Sequence, residues 1–389
     1  MKIRRCHISA YANLLKTVMG CGIIIYPFLF AKYGIIQTTI LTVLSSMFSA
    51  FGLVLYSYVN FKVNKRSTMS TIAYHIWRPM KYIVDLVVIV KCFGVSVSYM
   101  IIIKNLLRDI SFYLFDKYKF INLFLLIIVV ISAPLSFFHK MDKLKFTSIL
   151  GIFSIIFMLG TTIIRLISAN HYESIDIISS NHNFYKHISL FVFGFTCHQN
   201  IFTVQNEMSD PSWITMAYIV LCLMCTAIPI FLSFGIMNCL LFGKSVKPNI
   251  LDTLPHDSLA LSLRVFYLIM MVCSVPLQLN PCRSYLLGMI NENFNLKPNH
   301  WPKRWICAGS LLAVSYLIAI SGLDFDQVFS FIGGTMSTTM CFIFPSIYFL
   351  LLKESNKSTF KTVISLLTNI WGILIFSSVI LKNYLAMDN

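Results

Sequence analysis

The chain has 389 residues, of which 57% are hydrophobic and only 12% are charged, and its mean hydropathy is +0.76. Soluble domains carry roughly 25% charged residues, so this composition excludes an ordinary soluble protein and favours an integral membrane protein. The net charge of +16 does not indicate a nucleic-acid binder, because Lys and Arg lie in the connections between apolar segments rather than on one folded face.

Eleven apolar stretches of the sequence are long enough to cross a bilayer, which takes about 20 residues. No other segment is long enough for a soluble domain, so we expect one transmembrane domain over residues 1–389. The basic N-terminus is interpreted as the flank of the first span rather than as a signal peptide. The predicted spans are 10–32, 36–60, 82–106, 119–138, 146–168, 186–205, 212–241, 259–281, 305–321, 327–352 and 363–385.

Basic residues predict the orientation of these spans. Lys and Arg are about twice as frequent in the segments on the side of the N-terminus as on the opposite side. This bias predicts a cytosolic N-terminus and, with an odd number of spans, an extracytosolic C-terminus. The glycosylation sequon at Asn356 would then lie in the cytosol, and we predict that it is unused.

The first ten spans divide into two similar sets. Spans one to five cover 10–168, and spans six to ten cover 186–352. Because each set has an odd number of spans, the second set must enter the membrane from the opposite side, which is the geometry of an inverted repeat. The sequence thus predicts an all-α integral membrane protein with two five-helix repeats and an eleventh helix at 363–385.

The first span contains a candidate break. Gly20 and Gly22 are followed by Pro27, and such a pattern favours local unwinding of a transmembrane helix. The alternative is close packing of two helices through small residues.

The sixth span contains a dense polar run at mid-membrane, formed by Thr196, His198, Gln199 and Asn200. Polar groups at this depth are costly and usually functional, although hydrogen bonding to neighbouring helices is an alternative. Breaks at equivalent places in both halves would expose half-helix ends. Their N–H groups suit the carboxylate of an α-amino acid, and their carbonyl groups suit its ammonium.

Several segments resemble the amino acid/auxin permease family. The first span, NLLKTVMGCGIIIYPFLFAKYG, is similar to the first helix of that family, and FGFTCHQNIFTVQNEM is similar to its sixth. The runs KCFGVSVSYMIII, VPLQLNPCRS and IGGTMSTTMCFIFPSIYFL resemble its third, eighth and tenth helices. The pattern is most similar to fungal vacuolar amino acid transporters and to sodium-coupled neutral amino acid transporters of animals.

This resemblance implies eleven helices, an inverted repeat of the leucine-transporter type, and ion-driven transport of amino acids. It also implies that Asn13 and Ser274 lie at a cation site between the first and eighth helices. His198 and Glu207 are further candidates for ion coupling, as proton carriers. The alternative for His198 is a hydrogen-bonded residue that orients its neighbours, and the alternative for Glu207 is a place in the inner vestibule or at the start of the next helix. The implied substrate-binding residues are Thr17, Gly20, Cys21, Gly22, Phe193, Gly194, Phe195 and Thr196.

Two features depart from a simple transfer of these roles. The family usually continues its third helix with Gly-Asp, whereas this chain has Lys104 and Asn105. The family's residue between the two glycines of the first helix is commonly Ala or Ser, whereas this chain has Cys21. Lys91 lies within the run that matches the third helix, and it is either a cation-site surrogate or gate, or a structural residue that reaches backbone carbonyls or snorkels.

The resulting prediction is a secondary active transporter that moves amino acids by alternating access, coupled to H⁺ or Na⁺. The alternative is a non-transporting amino acid sensor on the same scaffold. No enzymatic role is predicted, because no nucleophile, metal cluster or phosphate loop accompanies His139 and Asp142. We expect no cofactor, no metal and no protein partner, and a location in the plasma membrane or a vacuolar or other endomembrane.

Overall fold

A computed structural model describes most of the chain. The described residues are 5–20, 22–63, 67–116, 120–137, 145–180, 184–209, 211–293, 301–352 and 358–387. Cys21, His139, Asp142 and Asn356 lie outside these ranges.

All of the regular secondary structure in these ranges is helical, as the composition predicts. The described residues form fourteen α-helices in chain order. They are α1 (Arg5–Met19), α2 (Tyr26–Val63), α3 (Met69–Ile76), α4 (Met80–Phe115), α5 (Ile121–Phe137), α6 (Lys145–Ile167), α7 (Ile188–Gly194), α8 (Ile201–Asn206), α9 (Trp213–Phe242), α10 (Ser258–Asn293), α11 (Trp301–Ile320), α12 (Phe325–Ile332), α13 (Phe344–Leu351) and α14 (Thr359–Met387).

Eight helical stretches of the described residues are long and apolar enough to cross a bilayer, whereas the sequence predicts eleven spans. The first two predicted spans run on as one stretch, Cys6–Val63. The fourth corresponds to the shorter helix α5, and the sixth is divided into α7 and α8. The count of eleven crossings therefore stays a prediction.

The junction of the first two predicted spans lies at Gly34 inside α2. Its φ of 73° and ψ of −177° depart from helical values, and only glycine adopts this backbone conformation without strain. A Cβ atom at this position would also lie 2.5 Å from the Asp176 carbonyl oxygen. The chain turns here, and the following amides of Ile35 and Ile36 donate to the Asp176 and Ile177 carbonyl groups, both at 3.0 Å.

The helices differ in how much of their apolar surface is covered by protein. The most apolar windows of Cys6–Val63 and of α4 are 76% and 78% buried, whereas those of α11 and α14 are 22% and 28% buried. Because apolar side chains that are not covered by protein need lipid around them, α11 and α14 lie at the lipid-facing periphery. The inner helices surround the two candidate breaks.

The tenth predicted span is helical but irregular. Two π-helical segments, 333–337 and 339–343, join α12 to α13, and such wide turns often mark functional sites. Gly333 brings this helix against α7, since a Cβ atom at Gly333 would lie 3.0 Å from the Ser189 carbonyl oxygen.

Candidate functional site

The first break follows the end of α1 at Met19. The chain leaves the helical path at Gly20 and resumes as a short 3₁₀ turn, Ile23–Ile25, which leads directly into α2. The Gly20 carbonyl oxygen accepts a hydrogen bond from the hydroxyl of Tyr267 in α10, at 3.1 Å. This predicted interruption is therefore present, and part of its backbone is paired by a side chain from another helix.

The second break follows the end of α7 at Gly194. Residues 195–197 are not helical, and a 3₁₀ turn, His198–Asn200, precedes α8. The buried carbonyl oxygen of Phe195 accepts a hydrogen bond from the Ser49 hydroxyl of α2, at 2.9 Å. The Thr196 hydroxyl donates to the Val192 carbonyl at 3.2 Å. The second predicted interruption is also present.

The two breaks lie against each other. A Cβ atom at Gly22 would lie 2.8 Å from the Gly194 Cα atom and 3.3 Å from its carbonyl oxygen. A hydrogen bond between side chains also joins the two segments, because the Asn200 amide donates to the Thr17 hydroxyl at 2.9 Å. Two segments far apart in the sequence are thus in direct backbone contact.

This arrangement places opposite half-helix ends in one small region. The last carbonyl groups of α1 have no partners within their own helix, and they carry a partial negative charge. At the end of α7, by contrast, the Val192 and Phe193 carbonyl groups accept from the N–H groups of Phe195 and Thr196, at 3.2 and 3.0 Å. The Tyr26 N–H at the start of α2 donates to the Ile23 carbonyl, so the partial positive charge lies on the first N–H groups of the preceding 3₁₀ turn, Ile23–Ile25. A molecule that is positive at one end and negative at the other is complementary to such a pair of ends, without any charged side chain.

Most of the residues implied as substrate contacts lie at these breaks. Thr17 is engaged twice, since its hydroxyl also donates to the Asn13 carbonyl at 2.8 Å. Phe193 is buried, and its ring centroid lies 3.8 Å from that of Phe329 in α12. Cys21 lies outside the described residues. Whether the others bind substrate stays a prediction.

The candidates for ion coupling lie on or next to different helical segments. The Ser274 hydroxyl donates to the Met270 carbonyl one turn earlier in α10, at 2.7 Å. His198 is fully buried, and its Nε2 atom donates to the Ser49 carbonyl at 3.1 Å. Glu207 is exposed just after α8. The contact of His198 favours its interpretation as an orienting residue, while the ion-coupling roles stay predictions.

Sequence reasoning missed several residues that hold the site together. Ser49 and Tyr267 pair the carbonyl groups of the breaks, and nothing in their local sequence distinguishes them. Gly52 of α2 leaves room for the Cys341 carbonyl. A Cβ atom at Gly52 would also lie 3.0 Å from the His198 Nε2 atom. Lys16 is buried in the last turn of α1, and a lysine within an apolar span was a signal that could have been followed.

A polar cavity of about 560 Å³ lies beside the far end of α4. Lys104 lines it and donates to the Ala319 carbonyl at 3.1 Å, which explains the basic residue that departs from the family pattern. Burial, and then the nearby Asp109 carboxylate, raise the pKa of the Asp252 side chain in the loop before α10 to about 6. The remaining lining includes Arg108, Asn122 and Asp324.

The chain is similar to known transport proteins over nearly its whole length. Residues 6–385 match the model of a family described as transmembrane amino acid transporter protein. Vacuolar amino acid transporter 5 of Saccharomyces cerevisiae is 26% identical, over 94% of this chain and 95% of that protein. Amino acid transporter AVT6A of Arabidopsis thaliana is 25% identical, over 93% and 86% of the two chains. A Xenopus tropicalis protein, provisionally named sodium-coupled neutral amino acid transporter 8, is 25% identical over 90% and 85%.

A solved structure shares the fold. A mutant of the manganese transporter of Eremococcus coleocola superposes with a TM-score of 0.60 at 12% identity, and the match covers 97% of this chain and 86% of that one. At this identity the similarity shows the fold alone. The family match confirms the resemblance to the amino acid/auxin permeases. The matched family and these relatives are transporters, not enzymes. The chain therefore belongs to the transmembrane amino acid transporter family.

Proposed function

We propose that this chain is a secondary active transporter, which moves amino acids across a membrane by alternating access. Substrate binds near the midplane at the two breaks, and a bundle with helices from both five-helix repeats, 10–168 and 186–352, rocks against a scaffold, while 363–385 stands outside the repeats. H⁺ or Na⁺ supplies the driving force. The membrane is the plasma membrane or a vacuolar or other endomembrane, with the N-terminus in the cytosol.

The contact between Gly22 and Gly194 carries this proposal. The two backbones approach closely because Gly22 has no Cβ atom, which would lie 2.8 Å from the Gly194 Cα atom. The end of α1 and the start of the Ile23–Ile25 turn that leads into α2 offer both signs of partial charge to one ligand. An α-amino acid combines a carboxylate and an ammonium in one small molecule, so it is a substrate class that fits.

The candidate coupling groups are those that the sequence indicates. His198 and Glu207 follow the second break along the chain, and they are the candidates for a proton-coupled cycle. Asn13 and Ser274 carry the oxygen atoms that a hard cation such as Na⁺ prefers.

The test is transport by the purified protein in liposomes. A panel of labelled amino acids is offered with an imposed H⁺ gradient, an imposed Na⁺ gradient or neither, and protein-free liposomes serve as the control. We expect accumulation above the equilibrium level for at least one amino acid, and collapse of that accumulation when an ionophore dissipates the gradient. Saturable binding of an amino acid without uptake would instead support the sensor.

A further inference from the structure

Lys16 is a buried lysine in the last turn of α1, and it is only 7% exposed. An ionisable side chain within a transmembrane helix is expensive to bury and usually has a function. Neither the candidate substrate site nor the candidate coupling groups include it.

A glycine on another helix makes room for this side chain. If Gly151 of α6 had a Cβ atom, that atom would lie 3.0, 3.1 and 3.3 Å from the Cγ, Cε and Cδ atoms of Lys16. The aliphatic part of Lys16 occupies that space.

The Cys273 side chain of α10 lies near the Lys16 ammonium. Cys273 directly precedes Ser274. The family resemblance implies a cation site at Ser274 and Asn13, and Asn13 lies one turn before Lys16 in α1. The positive charge of Lys16 therefore lies between α1, α6 and α10, in the region where a cation was expected.

The end of α1 carries a negative potential that favours a cation there. The break leaves the last carbonyl groups of α1 without partners in their own helix, and the helix dipole adds negative potential at this end. A positive charge stabilises such an end, whether a bound metal ion or a side chain supplies it.

We propose that the Lys16 ammonium permanently occupies this place, so that no Na⁺ ion binds there and transport by this chain does not require Na⁺. The proposal rests on the proposed transport function for its second part only. Its first part concerns ion binding to the folded protein and is tested without any transport.

The first experiment measures the melting temperature of the purified protein in NaCl and in choline chloride at equal ionic strength. We expect no difference for the wild type. Lys16→Ala vacates the place, so we expect Na⁺ to raise its melting temperature by about 2 °C or more, as a ligand of the native state does. Lys244→Ala, which removes an exposed lysine, is the control and is expected to show no response. Lys16→Gln replaces Lys16→Ala if the latter does not fold.

The second experiment measures uptake in liposomes with Na⁺ or with choline outside. We expect equal initial rates for the wild type. Loss of the charge is expected to reduce Na⁺-free uptake by about tenfold, a usual strength of coupling between sites, and Lys244→Ala is expected to leave it unchanged.

A Na⁺-dependent rise in the melting temperature of the wild type would overturn the proposal, as would the absence of such a rise in the folded Lys16 variants. Wild-type uptake that requires Na⁺ would overturn it as well. If the wild type transports no amino acid at all, the proposed function fails, whereas the melting temperatures still decide whether Lys16 holds the cation place.

Discussion

The two breaks that face each other are held in different ways. At the first, the Gly20 carbonyl is partly accessible and accepts one bond from the Tyr267 hydroxyl. At the second, the Phe195 carbonyl is buried and accepts a hydrogen bond from the Ser49 hydroxyl. The Ser49 carbonyl in turn accepts a hydrogen bond from the Nε2 atom of His198. The second break is thus attached to α2 by two reciprocal contacts. We infer that the second break is the more rigid of the two, and that the first has more freedom to change.

The largest effect is expected where the breaks touch. Gly22→Val places a branched side chain against the Gly194 backbone, which lies 2.8 Å from the Cβ position. A displacement of about 1 Å at a site of this kind can cost on the order of a hundredfold in rate, so we expect amino acid uptake in liposomes to fall at least about tenfold.

Gly160→Ala is the matched control, because a Cβ atom at Gly160 in α6 would meet no atom within 4 Å. Its uptake is expected to stay at the level of the wild type. Full uptake by the Gly22→Val protein would show that close approach of the two breaks is not required.

The second break is sensitive to the loss of its buried hydrogen bond. Ser49→Ala leaves the Phe195 carbonyl oxygen without that donor in a site that excludes water, and such a loss costs about 1–3 kcal/mol. We expect a lower melting temperature of the purified protein. Ser233→Ala is the control, since the Ser233 hydroxyl is exposed and bonds only to the preceding turn of its own helix at Ile230, at 3.2 Å. Equal melting temperatures for the two variants would refute the difference in rigidity.

A smaller effect is expected at the first break. Tyr267→Phe removes the donor to the Gly20 carbonyl, but this group is only partly buried and water can replace the hydroxyl. We expect a loss of about 0.5–1 kcal/mol, near the lower limit for a hydrogen bond. The stability losses at the two breaks are compared by measuring the melting temperatures of the Tyr267→Phe and Ser49→Ala proteins in the same buffer. A larger fall for Tyr267→Phe would reverse our ranking of the two breaks.

The local sequence was enough to predict much of the fold and part of the candidate site. Glycine and proline within an apolar span, and a run of polar residues in another, weaken a helix wherever they occur. For this reason the residue pattern alone was enough to predict breaks at Gly20, Gly22 and the segment from Thr196 to Asn200. Family motifs located the same segments independently, and the family match confirms them as parts of one transporter family.

Composition and local pattern by themselves determined that this is a helical membrane protein with two interrupted spans, because hydropathy and helix breaking act over a few neighbouring residues. Only the tertiary structure decided that Gly22 meets Gly194, that Ser49 pairs Phe195, and that Gly151 makes room for Lys16. These contacts join residues more than a hundred positions apart, as Ser49 and Phe195 are, with a separation of 146. They depend on how whole helices pack, which no local pattern of residues specifies.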